Sequence, residues 1–368
     1  MRLRSSAIAM LAIALATSGC ELGYLLKQGA GQVGLIWQRE PIDAAERDAR
    51  LTDAEKQRLA IVRAAKAFAI DRIGLHRSAS YDQVVVLDRS AVSYVVSGAP
   101  KDALAPYLWH YPVIGAAPYK GFFDPQDAKS EKASLEARGY DAYLRGVSAF
   151  SLLGFFPDPL YSPLLRYESG TLANIIIHEL THATVFLSGN SSFNEGFATF
   201  VGDQGELWFL QERYGADSTE VQRALALKRD DERFRTFAAD LVHELRDLYA
   251  LPLTPAEKVR RREQVFAAAH ARFGLLAMET EAYRGFSKVT LNNAYLMTLM
   301  TYRSNTTRFQ RVYDRLHQDL PAMVRFFRDQ VAKDPHPEAF LDRWLDKEGE
   351  PSGPAFPLTL PSSPRGEG

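Results

Sequence analysis

Cysteine is almost missing from this chain: 368 residues carry one, Cys20. No intrachain disulfide can therefore form. Net charge is missing too, since 44 Lys and Arg offset 45 Asp and Glu to leave −1. That balance offers no electrostatic basis for a nucleic-acid partner, whose phosphates demand clustered Lys and Arg. The one basic run, Arg260-Arg261-Arg262, falls in a helical pattern beside Glu257 and Glu263 and is expected to be a solvated helix face. There is no internal repeat. What is present is ordinary globular composition, 46% hydrophobic and 24% charged, enough for one large body or two lobes.

The position of Cys20 says more than its number. Arg2 and Arg4 precede a ten-residue apolar run, Ala7 to Ala16, which is too short to span a bilayer. Thr17-Ser18-Gly19 then leads directly to Cys20. This order resembles a bacterial lipoprotein signal, although Thr17 stands where that pattern usually has leucine. The resemblance implies cleavage before Cys20, lipid on its thiol, and a protein held to the membrane by lipid. Ordinary signal cleavage with an incidental cysteine is the alternative. Residues 1–19 are thus read as signal peptide and 20–40 as a lipidated tether. The expected location is the periplasmic side of the cell envelope, and Glu21 after the cysteine favours the outer membrane.

The mature chain is expected to be α+β and mostly helical. Residues 41–168 read as an α+β part with a small mixed sheet: a capped helix from Thr52 to Ile73, a hairpin of Gln83–Leu87 with Ala91–Val96, a helix over 124–138 and a strand over 140–148. Residues 169–346 read as an all-helical part, with segments over 171–187, 193–214, 218–248, 255–273, 292–316 and 321–332. Residues 347–368 hold five prolines and read as a disordered tail.

Within the helical part lies His178-Glu179-Leu180-Thr181-His182. Histidines at i and i+4 share one helix face and can converge on a single Zn2+ ion. Glu179 lies beside that face, where a carboxylate can act as base toward a zinc-bound water. The contrasting His243-Glu244-Leu245-Arg246-Asp247 lacks the second histidine and reads as surface. A metzincin continuation is excluded, because Val185 and Ser188 occupy its Gly and His positions. Instead, a turn at 188–192 leads into Asn194-Glu195-Gly196-Phe197-Ala198. A helix returning after that turn would bring Glu195 onto the histidines, making a His2Glu site with one open position, as in catalytic zinc. Taken locally, Ser192-x-x-Glu195 reads rather as a capping box, with Glu195 holding the chain's own amides. The nearby histidines favour Glu195 as the ligand.

These two motifs together resemble the gluzincins, zinc-dependent peptidases with a HExxH…NExxA signature. Only twelve residues separate His182 from Glu195, and the Gly-x-Met-Glu-Asn exopeptidase signature of the large zinc aminopeptidases is missing. The chain is more broadly similar to a bacterial family of zinc aminopeptidases that are predicted lipoproteins. That likeness includes Tyr111-Pro112-Val113-x-Gly115, Tyr119-x-Gly121-x-Phe123-Asp124, Gly139-Tyr140-Asp141, Asp158-Pro159 and Asn292-Asn293-Ala294. It implies a gluzincin-like fold, one zinc ion on His178, His182 and Glu195, Glu179 as general base, and a peptide or protein substrate. Tyr302 or Tyr295, on one helical face with Asn292, could stabilise the oxyanion. A membrane-tethered endopeptidase, or a non-enzymatic lipoprotein keeping a vestigial zinc site, remain as alternatives.

Overall fold

The computed structural model describes residues 23–24, 27–29, 31–111, 115–148, 157–301 and 307–346. Cys20, Tyr302 and the proline-rich tail therefore lie outside the described residues. Three small sheets form the N-terminal part: β1 (Glu40–Pro41), β2 (Gln83–Val85) and β8 (Leu160–Tyr161) in one; β6 (Tyr119–Phe122), β3 (Ser93–Ala99) and β7 (Asp141–Val147) in the second; and the pair β4 (Trp109–Tyr111) and β5 (Gly115–Ala117). β3 is central and antiparallel to both neighbours, with Val96 opposite Lys120 and Leu144. Among the described residues, the α-helices of nine residues or more are α1 (Asp53–Phe68), α2 (Pro125–Ala137), α3 (Ser169–His182), α4 (Ser191–Tyr214), α5 (Thr219–Ala250), α6 (Pro255–Phe273), α7 (Asn293–Thr301), α8 (Thr307–Arg315), α9 (Leu320–Asp329) and α10 (Pro337–Asp346). The mostly helical α+β architecture agrees with the sequence reading.

Three local expectations are corrected. β2 and β3 do not pair: β2 runs parallel to β8, with Val84 opposite Leu160, and β3 joins the other sheet. The connecting chain is pinned elsewhere, because Leu87 N–H donates to Ser162 Oγ and the Arg89 guanidinium donates to the carbonyls of Phe123 and Val92. Residues 31–37 of the supposed tether are helical, and Leu35 is buried against Val85, Val92 and Tyr161. In the basic run, Arg260 and Arg261 pair with Glu257 at the surface, but Arg262 is buried. Its guanidinium contacts Asp141 at 2.6 and 3.1 Å, joining α6 to β7.

Most helices surround one core. α1, α3 and α4 pack with α8, α9 and α10 through Leu59, Ile176, Phe197, Phe309 and Phe327. The rings of Phe197 and Phe327 lie 4.4 Å apart. Full burial of one such side chain contributes about 1.5–3 kcal/mol, so this stack holds α4 firmly against the C-terminal helices. A second cluster joins α5, α6 and α7 around Phe234, Phe237, Phe273, Phe286 and Tyr295. Among the described residues, no helix is long and apolar enough to cross a membrane.

Candidate metal centre

α3 and α4 form an antiparallel helical hairpin. Polar groups set its register: Asn174 Nδ2 donates to Asp203 Oδ1 and Glu206 Oε2, both at 3.0 Å. Gly205 lets the helices approach, since a Cβ there would lie 2.9–3.1 Å from the side chains of Ile73 and Ile177. With Asn174 locked to α4 near this end, the opposite end of the hairpin brings the C-terminal turn of α3 to the first turns of α4.

The connecting turn has its own lock. Gly189 takes φ 76°, open to glycine without a Cβ penalty. Asn190, not Ser192, caps α4 by accepting from Phe193 N–H at 3.1 Å. The alternative role for Glu195 as a capping-box partner is thereby excluded. Asn194 is buried and clasps Leu187, accepting from its N–H and donating to its carbonyl, both at 2.8 Å. From outside, Glu338 accepts from Asn190 Nδ2 at 2.6 Å and is itself paired with Arg308.

Glu195 follows the clasp and faces the histidines. His178 Nε2 lies 3.6 Å from Glu195 Oε2, His182 Nε2 lies 3.4 Å from Glu195 Oε1, and the two Nε2 atoms are 3.1 Å apart. A tetrahedral zinc with bonds of about 2.0–2.2 Å holds neighbouring N and O donors about 3.3–3.5 Å apart. The donors present fit a divalent ion of that size, and this is the one cluster of metal-ligating side chains found among the described residues. Burial, then the charge of His178, pushes His182 down, favouring the neutral imidazole that binds metal. The facing His178, followed by His182, holds Glu195 below the usual carboxylate range despite its partial burial. Glu179 moves the other way: burial raises it, with Asp158 and Glu195 adding to the effect and His178 opposing it.

The other expected site residues lie elsewhere or outside the description. Tyr295 packs against Tyr143 and Phe286, with ring centroids at 4.9 and 6.2 Å, and burial pushes its hydroxyl up to about 12. Its place is the second hydrophobic cluster, apart from the core around α3. Asn292 caps α7 through Tyr295 N–H, while buried Asn293 donates to the carbonyls of Pro100 and Ala103. His243 pairs with Asp247 at the surface.

One residue near the centre was not legible as such. Tyr81 is buried with φ 64°, a conformation that is costly for a bulky side chain. Its N–H donates to Asp158 O at 2.7 Å, and its segment is tied beyond the end of α3 by His76 N–H donating to Thr184 Oγ1. Burial, then the negative charges of Glu179 and Asp158, pushes its hydroxyl well above the ordinary range. Ser78-Ala79-Ser80 marks a turn in the sequence, but nothing there announces a strained tyrosine beside the site.

The fold and its centre define a protein in which a helical hairpin presents two imidazoles and a carboxylate suited to a divalent metal, with a half-buried glutamate alongside. A family model described as "Putative aminopeptidase" matches residues 23–338. The chain belongs to that family. No curated protein and no solved structure matches the chain.

Proposed function

We propose that this chain is a zinc-dependent peptidase of aminopeptidase type, held at the periplasmic face of an envelope membrane by lipid on Cys20. The observation that carries the catalytic part is the convergence of His178, His182 and Glu195 within one metal's reach, beside a half-buried Glu179. Those three residues would hold the ion, which when bound supplies Lewis acidity toward a peptide carbonyl and a water. Glu179 performs the proton transfer. Its carboxylate accepts a proton from the attacking water and returns it to the leaving amine. Burial makes that carboxylate a better proton acceptor than a solvated glutamate. The Tyr81 hydroxyl, which lies within the electrostatic influence of Glu179, is the candidate donor to the developing oxyanion, and the surrounding core keeps it rigid.

The missing Gly-x-Met-Glu-Asn signature favours a second reading, cleavage within chains rather than at their amino termini. Metal analysis followed by profiling on peptides with free and blocked amino termini separates the two. Glu179→Gln should retain zinc and lower turnover by about 10²–10⁴-fold. Wild-type turnover by that variant would refute the assigned base.

A further inference from the structure

The segment after Cys20 is bound to the body almost from its start. Tyr24 Oη donates to Gly121 O at 2.6 Å, Lys27 pairs with Asp127 at 2.5 Å, and Gln28 Oε1 accepts from Phe123 N–H at 3.0 Å. The next contact inward is Gly31, where any side chain would strike the Phe123 ring, followed by buried Leu35. The spacing 24, 28, 31, 35 is one face of a helix, and residues 23–24, 27–29 and 31–37 are helical.

The opposite face is uncovered. At 100° per residue, Val33 and Trp37 lie about 200° from Leu35, with Ile36 flanking them. Val33 is 51% exposed, Ile36 36% and Trp37 83%. Three large apolar side chains in water on one helix are unusual for a surface that has no partner.

We propose that this face, Val33, Ile36 and Trp37, lies on the lipid bilayer that receives the acyl chains of Cys20. The inference rests on the lipid-anchor part of the proposed function. Chain length carries it: only three residues separate Cys20 from the docked Tyr24, and the four Cα steps between them span at most about 14 Å. The body has no slack with which to stand off the membrane. The helical segments within 23–37, locked to the body by their inner face, thus begin within that reach of the headgroups, and a course along the bilayer lays Val33, Ile36 and Trp37 on it. Tryptophan at its outer edge is the side chain best suited to that interface. Buried apolar area there adds to the acyl chains and fixes the body's orientation as well as its attachment.

The test uses the full lipidated protein, purified in detergent and reconstituted into phosphatidylethanolamine–phosphatidylglycerol vesicles with plain or brominated acyl chains. Trp37 is one of four tryptophans. Bromine contact at an interfacial Trp37 should remove about a quarter of the emission, as expected if only the membrane-facing indole is quenched. Trp37→Phe should abolish that bromine-dependent loss. Val33→Ser/Ile36→Ser, retaining Trp37, should reduce it by about half as the apolar contact weakens. Mass spectrometry of the same protein reads the modification. Unacylated Cys20 overturns both the anchor and this proposal; acylated Cys20 with equal emission from both vesicles overturns the proposal alone. A Trp37-dependent dimer in detergent, with no bromine effect, assigns the face to a second copy and likewise overturns it.

Discussion

Asn194→Ala tests whether the turn lock, rather than the helices alone, aims Glu195. The side chain holds both backbone groups of Leu187, each at 2.8 Å, and is 4% exposed. In the alanine variant the Leu187 carbonyl still accepts from Asn190 N–H at 3.2 Å, but the Leu187 N–H loses its partner in a buried setting. An orphaned buried donor costs about 1–3 kcal/mol and a lost hydrogen bond about 1 kcal/mol, so the expected destabilisation is about 2–4 kcal/mol. Urea denaturation in excess chelator measures it without bound metal adding to the native state. Metal affinity should fall as well, because Glu195 is the next residue and its direction depends on the phase of that first turn. Each tenfold loss corresponds to about 1.4 kcal/mol of misplacement, and at least one such step is expected in a competition assay. Asn194→Asp makes a sharper control. It keeps an acceptor for Leu187 N–H but sets a carboxylate against the Leu187 carbonyl, and should be less stable than alanine. Wild-type stability and metal affinity in Asn194→Ala would refute the argument.

Burial raises the Glu206 carboxyl from an ordinary 4.5 to about 7, with Asn174 opposing the shift and Asp203 adding to it. A raised acid favours the folded state fully below 4.5, and that contribution is lost as pH rises through 7. At about 1.36 kcal/mol per unit the loss is about 3 kcal/mol, so Glu206→Gln should stabilise at pH 8 and do little at pH 4; a pH-independent difference in urea would contradict this. Arg262→Met takes the guanidinium from the buried Asp141 carboxylate, which keeps a neutral donor from α7, Asn293 N–H at 2.9 Å. The change should cost about 3–5 kcal/mol, with Asp141→Leu in the same chain recovering part of it by thermal melting. If Arg262→Met melts like wild type, the pair is not holding α6 to β7. Tyr81→Phe should lower kcat about 10²-fold while sparing zinc content and melting temperature; an unchanged kcat would make Tyr81 a packing residue only.

The parts of this molecule that were legible in the sequence are those decided within a few residues. Thr52 and Glu55 form the expected capping box, and α6 begins at Pro255 and ends at Phe273 as its pattern requires. His178, Glu179 and His182 were readable for the same reason, since one helical turn sets their relation. What could not be read was settled by distant groups. A β2–β3 hairpin is locally plausible, but Ser162 and Arg89 draw its connection elsewhere. Arg262 looks no different from Arg260 in sequence; the carboxylate that buries it lies 121 residues away. Tyr295 shares a helical face with Asn292, yet Tyr143 and Phe286 claim its ring.

Glu195 falls between these cases, and its outcome shows what a motif leaves undecided. Its sequence context offered two local partners, the amides of a capping box or the histidines upstream. Both satisfy a carboxylate, so composition alone cannot choose. The choice is made at Asn190, which takes the cap two positions earlier than Ser192 and so leaves the second-turn carboxylate uncommitted. Asn194 then closes the turn on Leu187, and the tie of Asn174 to Asp203 and Glu206 holds the far end of the hairpin. Two asparagines near the turn and one at the far end of the α3–α4 seam thus convert a linear spacing into a three-donor site. The three-donor geometry belongs to the hairpin as a whole, and a short connection from His182 to Glu195 suffices because these side chains remove its freedom.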